Sequence, residues 1–398
     1  MTVPVPRLPA GQRRSARVAA ACATLLVVLL PALVAGSGLD AAPTPAERRF
    51  VLDAIGVEPH VASSDVARRY CLTALGDEAE AVRAAVVTPD AGLPPLALPR
   101  ARTLQILVLG AVSGALYLVV LLARGRVQAL LACTVLAVLP PVALTGARLR
   151  PEAPAVLFAL LALVLLQSFA QTAARRPVAR QGRRLVSLAG LGACAAVALG
   201  LATAALPSHG APVVLPAFVL TVGAAFLLVR GVAVLRRVGF ERFPCRAWNA
   251  RLLPWTAIGL LAPGVVVLVL RSAVAGPIEA LAGTPADVGL LPANGIARAL
   301  TLSLGAVGAA VAVLRVGLRF GRGARLGAEL VLLVYCALEL VAFATAPAGL
   351  DRLPMAPALA ILVAEGARLV VFVGAWFWSR RPPRVAGRDG VTSARRGR

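Results

Sequence analysis

Lysine does not occur in this chain of 398 residues, so all 41 basic residues are arginine. A phosphate loop of the type Gly-x-x-x-x-Gly-Lys-Ser/Thr is therefore excluded, and with it the kinases and ATPases built on one. Histidine occurs twice, at His60 and His209. The six cysteines (Cys22, Cys71, Cys133, Cys194, Cys245 and Cys336) include no Cys-x-x-Cys pair, so no metal site is expected. Charged residues make up only 15% of the chain, where an ordinary soluble domain carries about 25%. A soluble fold is excluded by that shortage together with a mean hydropathy of +0.84.

What the chain has instead is apolar sequence in runs of about 20 residues, the length that crosses a ~30 Å hydrocarbon core as a helix. The runs lack the alternation of barrel strands, and helices satisfy every backbone polar group within lipid. The expected fold is all-α: a polytopic membrane helical bundle of about ten spans. These are Val18–Gly36, Thr103–Ala123, Val127–Gly146, Ala153–Ala173, Leu185–Ala205, Val213–Leu235, Leu252–Leu270, Ile296–Gly317, Leu326–Ala346 and Pro357–Trp378. The net charge of +23 does not point to nucleic acid. The arginines gather at span ends, and arginine without lysine beside so much Ala, Val, Leu and Gly reflects base composition.

The distribution of arginine orients the bundle. With the N-terminus in the cytoplasm, 28 arginines fall in cytoplasmic segments and 12 outside, with Arg368 inside a span. Trp248, Trp255, Trp376 and Trp378 all fall at the cytoplasmic interface, where an aromatic belt belongs. Arg7, Arg13, Arg14 and Arg17 before the first apolar run read as an uncleaved signal anchor. The expected organisation is a cytoplasmic N-terminus and anchor helix (1–37), an extracytoplasmic loop (38–102), a nine-span membrane domain (103–378) and a basic, disordered cytoplasmic tail (379–398). The expected location is the plasma (inner) membrane, with both termini cytoplasmic.

The loop 38–102 holds nine of the 18 acidic residues. It reads as short amphipathic helices lying at the membrane surface. One groups Phe50, Val51, Ala54 and Ile55 on a single side, and another carries Val66, Tyr70 and Leu75 and stops at Gly76. Asp40, four residues beyond the first span, is a carboxylate at the mouth of a helix bundle, where it can take a proton from an acceptor hydroxyl.

Ionisable groups inside spans cost at least ~2.5–3.5 kcal/mol on insertion scales. The chain places Glu329, Glu339, Glu365 and Arg368 there. Glu365 and Arg368, three residues apart on one helix, are expected to pair. Glu339, with Tyr335 one turn earlier, suggests a polar patch facing the bundle interior. A proton-coupled transporter or lipid flippase using Glu339 and Glu365 is therefore one reading, and a non-enzymatic scaffold another.

The third reading comes from a likeness. A basic start, one span and then Asp40 resembles the opening of the GT-C membrane glycosyltransferases, which include protein mannosyltransferases and aminoarabinose transferases. Leu93-Pro94-Pro95-Leu96 followed by Ala101-Arg102-Thr103-Leu104 resembles their Pro-Pro-Leu element and next span start. Leu139-Pro140-Pro141 through Arg148-Leu149-Arg150-Pro151-Glu152-Ala153 resembles a junction between two of their helices, and Arg352-Leu353-Pro354-Met355-Ala356-Pro357-Ala358-Leu359 resembles the approach to a late span. The resemblance implies a polyprenyl-phosphate-linked sugar donor drawn from the membrane lipid, with no cofactor. It makes Asp40 the catalytic base and gives the donor phosphate to Arg352, with Arg102, Arg148 and Arg150 as further candidates.

Overall fold

The computed structural model describes residues 10–41, 43–57, 65–87, 98–174, 181–205, 290–318, 326–345 and 353–379. They are helical, with no strand among the described residues. In chain order the helices are α1 (Ala10–Gly36), α2 (Pro45–Ala54), α3 (Asp65–Leu75), α4 (Glu78–Val87), α5 (Pro99–Ala123), α6 (Arg126–Val138), α7 (Pro140–Ala143), α8 (Glu152–Ala174), α9 (Gln181–Ala205), α10 (Gly295–Leu318), α11 (Leu326–Thr345) and α12 (Ala356–Ser379). A 3₁₀ turn, Leu353–Met355, precedes α12. Among the described residues, five segments are long and apolar enough to cross a membrane: Val18–Gly36, Pro99–Ala123, Glu152–Phe169, Gly295–Arg315 and Leu353–Trp378. This is a multi-pass membrane protein. The expected spans 213–235 and 252–270 lie outside the described residues, as does the tail from 380.

One expected span is broken. Val127–Gly146 read as a single crossing, but α6 stops at Val138 and a separate turn of helix begins at Pro140. Leu139 is extended (φ −69°, ψ 137°), the conformation that a following proline favours. Thirteen helical residues reach only about 20 Å, short of the ~30 Å core. The chain then turns through 144–147 and returns in α8.

The core is formed where α5 packs against α1, α6 and α8, α8 against α9 and α11, and α12 against α6 and α10. The α10–α12 contact is made by glycine. A methyl group on Gly308 would collide with the carbonyl of Leu362, and one on Gly366 with the carbonyl of Leu304. Small residues that let two backbones touch are the usual way helices associate in lipid, where hydrophobic burial drives little.

A buried charge network ties four helices together. Arg124, just past α5, lies 3.3 Å from Glu329 of α11 and 3.9 Å from Glu365 of α12, and Arg315 of α10 lies 2.9 Å from Glu365. The side chains of Arg124, Glu329 and Glu365 are 3%, 1% and 3% exposed. The expected Glu365–Arg368 pair is therefore corrected. The packed part of α12 ends at Gly366, so Glu365 is buried against α10 and the end of α5, while Arg368, one turn further on, is exposed. Arg315→Leu should consequently lower the melting temperature in detergent, because it removes the closest partner of a buried carboxylate, at a cost of about 1–3 kcal/mol. Arg368→Leu should not lower it.

The short helices α2, α3 and α4 lie between α1 and α5 in the chain. They make a small core of their own. Phe50, Val51, Leu52 and Ala54 of α2, with Ile55 just after it, pack with Ala67, Cys71, Ala74 and Leu75 of α3, Val82 of α4, and Leu98 and Ala101 at the start of α5. Gly76 (φ +54°) ends α3, the left-handed stop read from the sequence.

Candidate functional site

Asp40 sits in a turn that continues directly from α1. The amide N–H groups of Gly38 and Leu39 donate to the carbonyls of Ala35 and Gly36 (3.0 and 3.3 Å), and that of Ala41 donates to Gly38 (3.3 Å). Asp40 is exposed. Its two neighbours are anchored from below by a single side chain. Arg102 Nη1 donates to the carbonyl of Leu39 at 2.7 Å and to that of Ala41, so both sides of Asp40 hang from one guanidinium.

That guanidinium is held in turn by Glu47. Arg102 Nη2 donates to Oε2 at 2.7 Å and Nε to Oε1 at 3.1 Å, a two-point fork between side chains 3% and 1% exposed. Oε1 also accepts the backbone N–H of Leu149 at 2.9 Å. Leu149 is fully buried, and the residues on either side of it, Arg148 and Arg150, are half-buried. One carboxylate thus joins the turn that bears Asp40 to the loop that bears two of the candidate phosphate ligands.

Local sequence explains how Glu47 arrives there. Thr44 caps α2, its hydroxyl accepting the Glu47 N–H at 3.3 Å, and Pro45 fills the first turn. Thr44-Pro45-Ala46-Glu47 has the spacing of a capping box, in which the glutamate reaches back to its own helix end. Here the glutamate turns away and takes Arg102 instead. The sequence reading missed Glu47, and the box was the signal that marks its helix position.

The 148–150 loop is seated by glycine. A methyl group at Gly146 would come within 2.9 Å of both Ala35 and Leu109, and one at Gly38 would meet Ala147 at 3.4 Å. The end of α1 and the segment after α7 therefore lie against each other, with Asp40 two residues from one side of that contact and Arg148 next to the other.

Of the other candidates, Arg102 is placed differently from a ligand open to phosphate. It has five N–H donors, and four are used by Glu47 and the two carbonyls. Arg352 lies outside the described residues. Its neighbour Leu353 is buried in the main core, in a turn that packs on α8, the helix leading out of the 148–150 loop. Glu339 is half-buried near Tyr335 and Cys336 on α11, and Glu365 and Arg368 lie on α12.

Beneath the turn, α3 adds two groups that titrate late. Tyr70 donates to Gln105 Oε1 at 2.5 Å, and burial pushes its hydroxyl above the ordinary range. Burial, and then the nearby carboxylates of Asp53 and Glu47, push the Cys71 thiol from 9.0 up to about 12. A raised value means that the protonated thiol supports the fold fully below pH 9 and loses that support as pH climbs towards 12. Cys71 should therefore resist maleimide at pH 8 in the folded protein and react once the protein is unfolded, read by mass spectrometry.

No family model matches the chain, and no curated protein matches it. Solved structures do. The archaeal oligosaccharyltransferase AglB from Archaeoglobus fulgidus, determined in complex with an inhibitory peptide and a dolichol-phosphate, superposes over 93% of this chain with a TM-score of 0.51 at 12% identity. The fold is of the GT-C type. The apo form of the Archaeoglobus fulgidus oligosaccharyltransferase is also similar, over 89% of this chain, with a TM-score of 0.48 and 12% identity. This chain spans about half the length of those proteins, 52% and 51%. Within this GT-C-type fold, Asp40 stands at the end of the first long helix, and the Glu47–Arg102 fork lies directly under it.

Proposed function

We propose that the protein is a membrane glycosyltransferase that moves a sugar from a polyprenyl-phosphate donor to an acceptor at the extracytoplasmic face. The observation that carries the proposal is an exposed carboxylate whose flanking carbonyls are both fixed by a buried arginine–glutamate fork. A solvated turn residue needs no such support; a base that must meet an acceptor hydroxyl in one geometry does.

In this reading Asp40 takes the acceptor proton as the acceptor oxygen bonds to the anomeric carbon of the sugar. The bond from that carbon to the phosphate oxygen breaks, and polyprenyl phosphate leaves with the electron pair, so the sugar is transferred with inversion. The donor phosphate is assigned to Arg148, Arg150 and Arg352, whose guanidinium groups suit a phosphate anion. Arg102 is reassigned from the donor to the support of Asp40, because four of its donors are already taken.

The transporter reading loses one of its two glutamates. Glu365 is paired with Arg124 and Arg315, so its charge is matched within the helix packing. The test is direct. The purified chain in proteoliposomes is given radiolabelled polyprenyl-phosphate mannose or polyprenyl-phosphate aminoarabinose with extracted envelope acceptors, and released polyprenyl phosphate is measured. Release above the protein-free rate with one donor is expected, and none with either would count against the proposal.

A further inference from the structure

We infer that Glu47 and Arg102 form a positioning pair, whose task is to hold the Asp40 turn in register with the 148–150 loop. This rests on the glycosyltransferase reading and deepens it. Neither residue touches the acceptor or the donor in this scheme; both act through Asp40 and through the backbone of Leu149.

The geometry separates positioning from plain stabilisation. A buried ion pair that only stabilises the fold needs one carboxylate and one cation, and apolar residues of similar volume often replace such a pair without loss. The bonds here go further. Arg102 uses one nitrogen on two carbonyls that bracket Asp40, and Glu47 uses one oxygen on the amide between Arg148 and Arg150. The three segments joined are far apart in the chain: 55 residues separate Glu47 from Arg102, 63 separate Arg102 from Leu39, and 102 separate Glu47 from Leu149. No local hydrogen bond could impose that register. The pair also sits in the small core of α2, α3 and α5, so the packing of the outer helices is transmitted to the turn through it.

The choice of residue types follows. Lysine at position 102 would keep the charge but lose the planar fork, and could not serve Glu47 at two points while holding two carbonyls. Glutamine at position 47 would keep an acceptor for Leu149 but present an N–H to an arginine N–H.

The experiment uses the full chain in proteoliposomes, with the radiolabelled donor of the two above that the wild type turns over. The variants are Glu47→Gln, Arg102→Lys, the apolar double variant Glu47→Met/Arg102→Met, and Asp40→Asn. Turnover is measured as kcat and as KM for the donor, and hydrogen exchange is followed at 38–41 and at Leu149. The double variant should fold, exchange at least tenfold faster at both places, and lose about 100-fold in kcat, the loss a misplacement of about 1 Å produces, with donor KM within threefold of wild type. Glu47→Gln and Arg102→Lys should fall between it and the wild type, and they carry the test if the double variant does not fold. Unchanged exchange at 38–41, or faster exchange with kcat within threefold of wild type, overturns the positioning role. If Asp40→Asn is itself as fast as wild type, the glycosyltransferase reading fails at its base and takes this inference with it. An inactive Asp40→Asn beside a fully active double variant removes the positioning role alone.

Discussion

Asp40→Asn should lower turnover of the polyprenyl-phosphate donor by two to four orders of magnitude while leaving donor KM nearly unchanged. That range is what a positioned general base contributes. Asparagine keeps the shape of the side chain and leaves the Leu39 and Ala41 carbonyls on Arg102, so the turn should stay in place. Only the proton acceptor is removed. The control is Glu339→Gln, on α11, which should leave turnover within twofold of wild type. If Glu339→Gln abolished activity and Asp40→Asn were mild, the transporter reading would stand in place of the enzyme. Measuring both in the same proteoliposomes, as released polyprenyl phosphate, decides between them.

The second large effect is on stability. Glu47→Ala leaves Arg102 buried, with its side chain 3% exposed and its main counter-charge gone. Breaking a buried pair by removing one partner costs about 3–5 kcal/mol, since the remaining charge is neither paired nor solvated. The Leu149 amide loses its acceptor as well. The damage should be local to the outer helices: a protease added to detergent-solubilised protein should cut between α1 and α5 far faster than in wild type. The apolar double variant should be cut more slowly than Glu47→Ala in the same assay, because it leaves no unpaired charge buried. Equal protease resistance of Glu47→Ala and wild type would show that Arg102 finds water or another partner, and that the fork does not stabilise the loop.

Several features were legible in the chain because they are local. Phe50, Val51, Ala54 and Ile55 are buried as expected, but Leu52 and Asp53 between them are buried too, because α3, α4 and the start of α5 surround the end of α2 rather than one side of it. Gly76 stops α3 for a reason contained in one residue's backbone. The broken span at Leu139 was also local in principle. Pro140 and Pro141 stand in the middle of it, and the apolar run on either side hid their effect.

What the sequence by itself determined is the solvent and the class of fold. Long apolar runs, arginines at their ends and few charges elsewhere specify a helical membrane protein with a polar loop after the first helix, because burial in lipid depends on composition over a span. What only the tertiary structure decided is which charge meets which. Glu365 takes Arg124 and Arg315 over the nearby Arg368, and Glu47 takes Arg102 across 55 residues. Such partners are set by how helices distant in the chain pack, and a carboxylate removed from water binds the guanidinium that packing brings to it, whatever their separation in sequence.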